Sequence, residues 1–118
     1  DTRPLRAAPS TDEHSLQALS RTPDLPIEPV RIGEQPFVRI VTHLDQTVTR
    51  PYRKQWASVI ARWIGEGCHP WVFVHSPGDV YAPEVARTLH GMIQALRPEI
   101  APLPTWAGEA EPAQLGLF

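Results

Sequence analysis

The sequence holds a single cysteine, Cys68, and no apolar run near the roughly 20 residues that a membrane-spanning helix needs. One cysteine excludes an internal disulfide and does not give the ligand spacing of a zinc site. The first residues lack the charged and then apolar pattern of a secretory signal peptide. Together these absences favour a protein of the reducing cytoplasm.

A strong excess of charge is missing as well. The 11 basic and 13 acidic residues give a formal net charge of -2 and are mixed along the chain. Charge alone therefore selects neither a nucleic acid nor an anionic membrane as partner. With 118 residues, 42% of them hydrophobic, the sequence has the composition of one small globular domain. Its first residue is Asp1 and not Met, which suggests a piece of a longer chain.

Strand and helix patterns alternate between the 14 prolines. Runs of β-branched and aromatic residues predict strands at Phe37 to His43 and at Trp71 to Ser76. Apolar residues at helical spacing predict a helix over about 51–66, with Thr49 as its N-cap, and another over about 83–96.

A shorter helix, around Asp12 to Leu19 with Thr11 or Ser10 as N-cap, is expected in the otherwise irregular connector before the first strand. The order of strand, helix, strand and helix is typical of parallel strands joined by a right-handed crossover. Two strands alone do not make a stable parallel sheet. We therefore expect an α/β fold in which this chain contributes to a larger sheet.

Several segments occur in the order and spacing of one protein family, namely "DTRPL", "VRIVTH", "QWASVIARWIGEG", "WVFVHSPGDVYAPEVARTL" and "QLGLF". On these segments the sequence resembles the YecE-like family of domains of unknown function, nearest to its proteobacterial branch. The last strand and final helix of that branch carry a characteristic series of residues. Here the series is Phe73, His75, Ser76, Pro77, Asp79, Ala82, Pro83 and Glu84.

The resemblance implies a TIM-like β/α barrel of roughly 250 residues. Residues 1–96 would form C-terminal β/α units of that barrel, and residues 97–118 a proline-rich tail. Such a partial barrel leaves an open strand edge and an uncovered apolar sheet face. We expect it to be unstable unless the remainder of the barrel or another chain covers that face.

In a barrel, functional residues collect at the carboxyl ends of the strands. The polar residues expected at those ends or facing the barrel interior are Asp1, Arg3, Arg39, His43, His75 and Asp79. A guanidinium beside imidazoles can bind a phosphate or carboxylate, or assist a general base near neutral pH. Arg39, His43, His75 and Asp79 are thus candidate catalytic residues, and Asp1 and Arg3 candidate ligand-binding residues. The alternative is that Arg39 forms a structural ion pair and His75 only bonds a loop.

Other chemistry has little support in the sequence. The five histidines show no metal-binding pair at helical spacing, so no metal site is predicted, and the sequence leaves the cofactor unknown. Ser76 lies outside any nucleophile-elbow motif, and Cys68 has no evident activating partner. A nucleophilic mechanism is therefore not favoured.

The tail ends on an apolar peptide. Residues 97–112 contain prolines that prevent a helix and predict an extended tether. The peptide "QLGLF" resembles the motif by which bacterial replication and repair proteins bind the DNA sliding clamp. The resemblance assigns hydrogen bonding to Gln114 and pocket-filling contacts to Leu115, Leu117 and Phe118. The alternative is that the tail packs on its own domain.

Two functions follow as hypotheses. One is an enzyme that acts on a phosphate-containing substrate, such as nucleic acid, and is tethered to the clamp by its tail. The assignment of an enzyme activity in this hypothesis rests on analogy with other barrels. The other is a binding or scaffold module without catalysis.

Overall fold

Two short strands form a parallel pair at the centre of the structure, a computed structural model that describes residues 4–22, 24 and 27–107. Strand β1 runs over Phe37–Val41 and β2 over Trp71–His75, with Phe37 opposite Trp71 and Val41 opposite His75. The predicted α/β class is confirmed in this form, as a fragment with a small parallel sheet and three α-helices. Both strands are shorter than predicted, because ladder pairing stops where the chain turns toward the following helix.

Three α-helices accompany the strands. Helix α1 spans Glu13–Arg21 before the sheet, α2 spans Gln46–Gly65 between the strands, and α3 spans Ala82–Leu96 after them. Two 3₁₀ turns lie at Pro4–Arg6 and Pro77–Asp79. The order of strand, helix, strand and helix from residue 37 onward matches the expectation from the sequence.

The start of α2 differs from the prediction. The helix begins at Gln46, with Asp45 as its N-cap, and not near Pro51 with Thr49 as the cap. The Asp45 carboxylate accepts hydrogen bonds from the Thr47 N–H at 2.9 Å and the Thr47 hydroxyl at 2.6 Å. These bonds hold the pKa of Asp45 below its ordinary value. Pro51 is tolerated inside the helix with its ring at the exposed surface.

The end of α2 is a Schellman motif. The Gly67 N–H donates to the Ile64 carbonyl and the Cys68 N–H to the Trp63 carbonyl, both at 3.0 Å. Gly67 adopts a φ of +88°, the left-handed conformation that this motif requires and that glycine takes without strain. The motif turns the chain directly into β2.

Helices α2 and α3 cover one face of the sheet. Val38 and Ile40 of β1 pack against an apolar cluster on the two helices that includes Ile60, Leu89 and Ile93. Trp56 and Trp63 of α2 are buried in the same cluster with their rings edge to face, 6.2 Å apart. Their predicted role as core residues is confirmed.

The other face of the sheet is uncovered in the part of the chain that the structure describes. Phe37, Trp71 and Phe73 are 64%, 58% and 42% exposed. The rings of Phe37 and Phe73 stack at 4.4 Å. Large exposed aromatic side chains side by side are unusual on a monomer surface and are typical of contact sites. We refer to Phe37, Trp71 and Phe73 as the aromatic face.

Helix α1 lies across the carboxyl end of the sheet, where it contacts the 3₁₀ turn at Pro77–Asp79. Its N-cap is Asp12, whose carboxylate accepts from the Ser15 N–H at 2.8 Å, and not the predicted Thr11 or Ser10. At its other end the Arg6 guanidinium donates to the carbonyls of Leu19 and Thr22. Both ends of this short helix are thus fixed by side chains.

Candidate functional site

A cleft of about 240 Å³ opens at the carboxyl end of the two strands. We call it the strand-end cleft. Its polar side chains come from α1 and the residue after it, from the sheet and from the turn after β2, and they are His14, Gln17, Arg21, Thr22, Arg39, His75, Ser76 and Asp79. Three of the candidate residues from the sequence, Arg39, His75 and Asp79, therefore meet in one place.

The strand register explains how Arg39 and His75 meet. Val41 lies opposite His75, and Arg39 is two residues before Val41 on the same face of β1. Two residues along a strand span about 7 Å, so Arg39 and His75 lie on the same face of the sheet with Arg39 one layer lower. Alternation of side chains then directs both residues away from the helix-covered face.

The turn after β2 is held in an unusual conformation. The Ser76 hydroxyl, which is buried, accepts from the Tyr81 N–H at 2.9 Å, and the Ser76 carbonyl accepts from the Asp79 N–H at 2.8 Å. Gly78 and Asp79 have φ values of +66° and +57°. A left-handed aspartate costs conformational energy, and such strain is common at functional sites. The turn places the Asp79 carboxylate 3.9 Å from His75 Nδ1.

Helix α1 supplies the opposite wall of the cleft. His14, Gln17 and Arg21 recur at intervals of three and four residues, so they lie on one face of the helix. The His14 ring packs on Gly78 so closely that a β-carbon at Gly78 would lie 3.3 Å from its Cδ2. Sequence reasoning missed these residues, although the polar stripe of a capped helix at this spacing was a usable signal.

Among the described residues that line the cleft, basic side chains outnumber acidic ones. Arg21 and Arg39 are cationic at neutral pH, whereas Asp79 contributes one negative charge. His14 and His75 add two imidazole rings to the lining. Guanidinium and imidazole groups are donors suited in their chemistry to an anion such as phosphate or carboxylate.

His43 lies outside this cleft. It is buried, its Nδ1 accepts from the Asp45 N–H at 2.9 Å, and its Nε2 lies 3.3 Å from the Pro9 carbonyl and 3.1 Å from the Ser10 hydroxyl. With Nδ1 acting as acceptor, the neutral ring carries its proton on Nε2 and donates it toward Pro9 or Ser10. The Thr49 hydroxyl also accepts from the His43 N–H at 3.1 Å. Nε2 thus bonds the connector, while Nδ1 bonds the backbone of the N-cap of α2.

The remaining predicted site residues, Asp1 and Arg3 near the start and Gln114, Leu115, Leu117 and Phe118 at the end, lie outside the described residues. Within residues 4–22, 24 and 27–107, no three His, Cys, Asp or Glu side chains cluster closely enough to hold a metal ion. No helix in these ranges has the length and hydropathy needed to cross a membrane.

A larger cavity of about 540 Å³ lies at the opposite, amino end of the strands. Its walls are mainly apolar and include Ile60, Ile64, Ile93 and the buried Cys68. Because it brings together no group of charged side chains, it offers less chemistry than the smaller strand-end cleft.

Fold and site together define an α/β fragment with a cationic cleft at the carboxyl end of parallel strands. The chain is 30% identical over all 118 residues to the UPF0759 protein YecE of Escherichia coli K12, and equally to that of Escherichia coli O157:H7. This similarity confirms the predicted likeness to the YecE-like family. The chain spans 41% of the length of these relatives. No family model matches the chain, and no solved structure matches it.

Proposed function

We propose that the chain is the C-terminal part of a TIM-like β/α barrel enzyme that binds a phosphate-containing substrate in the strand-end cleft. The barrel is supported by the parallel strands joined through α2, with α2 and α3 packed together on one face of the sheet. It is supported further by the aromatic face, which the rest of a barrel would cover. The relatives are more than twice as long as this chain, so they have further residues that could cover such a face.

The observation that carries the proposed activity is the convergence of Arg21, Arg39, His14 and His75 from three separate elements. In the proposed mechanism the two guanidiniums bind the oxyanion, and His75 transfers a proton to or from the reacting group. A small movement would bring the Asp79 carboxylate from 3.9 Å into hydrogen-bonding distance of His75 Nδ1. It would then hold the ring with the lone pair of Nε2 toward the substrate. His43 is proposed as a positioning residue and not as a catalytic one.

Titration with inorganic phosphate, followed by NMR of the histidine ring protons, tests this cleft. We expect the signals of His14 and His75 to shift with increasing phosphate. The signal of His90, which lies on α3 and bonds the Ala101 carbonyl, should stay unchanged. Arg39→Gln and Arg21→Ala should weaken the response severalfold. The matched control is Arg62→Ala, which removes an exposed arginine of α2. Equal responses of all histidines, or none, would contradict a specific anion site.

The tail peptide forms the second part of the proposal. Gln114, Leu115, Leu117 and Phe118 are proposed to bind the bacterial DNA sliding clamp, which would bring the cleft to nucleic-acid substrates. The support is the spacing of one amide and three apolar side chains. Calorimetry of the chain with the clamp should give binding that Leu117→Ala with Phe118→Ala abolishes. Binding that survives this double substitution would refute the assignment.

A scaffold function without catalysis is favoured by a different observation, the packing of the first part of the tail on α3. His75→Ala separates the two candidates. Loss of an activity on a phosphate-containing substrate in a folded variant supports an enzyme. Full retention of partner binding, with no such activity in the unsubstituted protein, supports the scaffold.

A further inference from the structure

Arg53 is a buried arginine on the inner face of α2. Its side chain is 7% exposed and lies on the helical stripe that also buries Thr49, Trp56 and Ile60. A guanidinium stays charged in proteins, and burying a charge is costly unless the charge is paired and hydrogen-bonded. A partner for this cation is therefore expected.

The part of the chain that the structure describes does not compensate this cation. Arg53 Nε is shielded from solvent and has no hydrogen-bond partner there. Burial lowers the pKa of Arg53, the like charge of Arg50 lowers it further, and Glu84 raises it. Because the pKa remains below its ordinary value, the Glu84 carboxylate does not offset the loss of water around the guanidinium.

The Arg53 side chain is directed toward the start of α3. Helices α2 and α3 follow two parallel strands, so both begin at the carboxyl end of the sheet, and they pack against each other. Arg53 lies about 10 Å along α2 from its first residue, Gln46, and side chains on a helix lean toward its N-terminus. The guanidinium therefore leans toward the level at which α3 starts. Its interaction with Glu84 in the first turn of α3 agrees with this direction.

Helix α3 begins without a side-chain cap. Its N-cap residue is Tyr81, whose side chain makes no capping hydrogen bond, and Pro83 has no N–H to donate. The N–H groups of Ala82 and Glu84 lie in the first turn and have no acceptor within the helix. The helix macrodipole adds partial positive charge at the same place. An oxyanion is the ligand that such a helix end favours.

We propose that Arg50, Arg53 and the first turn of α3 bind a phosphate group at a second anion site. Arg50 is exposed and lies three residues before Arg53 on α2, so the two guanidiniums are neighbours, one at the surface and one beneath it. Guanidiniums bind phosphate oxygens in pairs, and the N–H groups of a helix end bind the same oxygens. Two cations and the helix end outweigh the single carboxylate of Glu84. None of these residues lines the strand-end cleft, so the site does not rest on the proposed function.

An anion site at Arg53 has an energetic signature that a purely structural arginine lacks. Replacing an uncompensated buried charge with an apolar side chain is often neutral or stabilising. A ligand that binds only the folded chain raises its stability as the ligand concentration rises. Without phosphate, Arg53→Met should therefore be at least as stable as the unsubstituted chain. With phosphate, it should gain less stability than the unsubstituted chain.

Titration of the unsubstituted chain with inorganic phosphate, followed by NMR of the arginine Nε–H groups, tests the site. We expect the Arg53 signal, assigned by its loss in Arg53→Lys, to shift and reach saturation. The signal of Arg62, which is exposed on α2, should stay unchanged. Arg50→Gln should weaken phosphate binding severalfold because it removes one cation. Glu84→Gln should strengthen binding severalfold because it removes the competing carboxylate.

Urea unfolding in phosphate and in sodium chloride of equal ionic strength gives a second measurement. The midpoint of the unsubstituted chain should rise with phosphate toward a plateau. Phosphate also stabilises folded proteins in general because it is excluded from their surface. Arg53→Met measures this general effect, and circular dichroism verifies that the variant is folded. A marked loss of stability in Arg53→Met without phosphate would overturn the proposal, because Arg53 would then already be compensated.

The outcomes separate this site from the strand-end cleft. An Arg53 signal that does not respond to phosphate overturns the site, even if His14 and His75 in the cleft respond. Equal stabilisation of Arg53→Met and the unsubstituted chain by phosphate overturns it as well. A shift of the Arg53 signal while both histidines stay unchanged supports this site and contradicts the cleft as an anion site.

The same NMR signal identifies the source of the phosphate group. A single-stranded DNA tetranucleotide that shifts the Arg53 signal at lower concentration than inorganic phosphate does would identify a nucleic acid as the ligand. Equal or weaker binding of the tetranucleotide would identify free phosphate.

Discussion

Gly78 connects the strained turn after β2 to helix α1, and its replacement by alanine should disturb both. The residue has a φ of +66°, and a side chain in the left-handed region costs about 1–2 kcal/mol. The new methyl carbon would lie 3.3 Å from Cδ2 and 3.4 Å from Cγ of His14. Optimal carbon contacts are about 3.5–4.0 Å, so the His14 ring must move by a few tenths of an ångström. We expect Gly78→Ala to lower the free energy of unfolding by about 1–2 kcal/mol and to displace His14 in the cleft.

Substitutions at two other glycines distinguish the cost of backbone strain from the cost of the contact with His14. Gly33 has a φ of +77°, but a β-carbon added there would meet nothing within 4 Å, so Gly33→Ala should cost about 1 kcal/mol and leave His14 unchanged. Gly91 has ordinary helical geometry and open space, so Gly91→Ala should stabilise α3 by up to about 1 kcal/mol. Urea unfolding followed by tryptophan fluorescence gives the free energies, and the His14 ring signals in NMR spectra report its position.

The result that would refute this reasoning is specific. If Gly78→Ala and Gly33→Ala lose the same stability and the His14 signals coincide in both, α1 does not pack on the turn. The strand-end cleft would then lose its α1 wall, and with it the positions of Gln17 and Arg21.

Three further predictions concern the core, acid stability and the aromatic face. Ile60→Ala should cost about 2–5 kcal/mol in urea unfolding because the side chain is 1% exposed, whereas Ile32→Ala, at 93% exposure, should cost almost nothing. Asp45 has a lowered pKa in the folded chain, so its contribution is complete above its ordinary value of 3.8 and is lost as the pH falls below it. Asparagine is also a good N-cap residue but does not titrate. The urea midpoint of Asp45→Asn should therefore fall less between pH 6 and pH 3 than that of the unsubstituted chain, by the contribution of one N-cap carboxylate. Phe37→Ser with Trp71→Ser should reduce self-association in sedimentation velocity, because both side chains lie on the uncovered aromatic face.

Each of these has an outcome that would contradict it. Equal losses for Ile60→Ala and Ile32→Ala would mean that the α2 stripe does not face the core. An acid response of Asp45→Asn as steep as that of the unsubstituted chain would remove Asp45 as a titrating cap. Association unaffected by the serine substitutions would show that another surface than the aromatic face mediates it.

Periodicity in the sequence predicted which side chains are buried better than where elements begin. The apolar positions of α2 recur at helical spacing, which identified Trp56 and Trp63 as core residues. The predicted start of α2 was wrong because proline is common in the first turn of helices, which pointed to Pro51, and threonine is a good cap residue, which pointed to Thr49. The Thr49 hydroxyl instead bonds the backbone of His43, a contact across six residues that composition does not reveal.

The candidate site could be predicted only in part. Strand alternation and the strand-end rule brought Arg39, His75 and Asp79 together correctly, because both depend on local geometry. The same rule grouped His43 with them, but the chain turns after Val41 and directs that ring toward Pro9 and Ser10. The spacing of His14, Gln17 and Arg21 marked one polar face of α1, but the position of that helix over the cleft depends on tertiary packing against Gly78, which the spacing does not reveal.

The cleft lies beside the aromatic face, so its chemistry depends on whether that face is covered. Arg39 and Phe73 are direct partners across the strands, so whatever covers Phe73 also removes water from around the Arg39 guanidinium. Electrostatic attraction strengthens several-fold as water is excluded, whereas exposed charges at physiological salt are screened over about 8 Å. His75 and Asp79 are 49% and 80% exposed in the described chain, which places their interaction in the weak, screened regime. A covered aromatic face would therefore strengthen anion binding without changing any residue of the cleft.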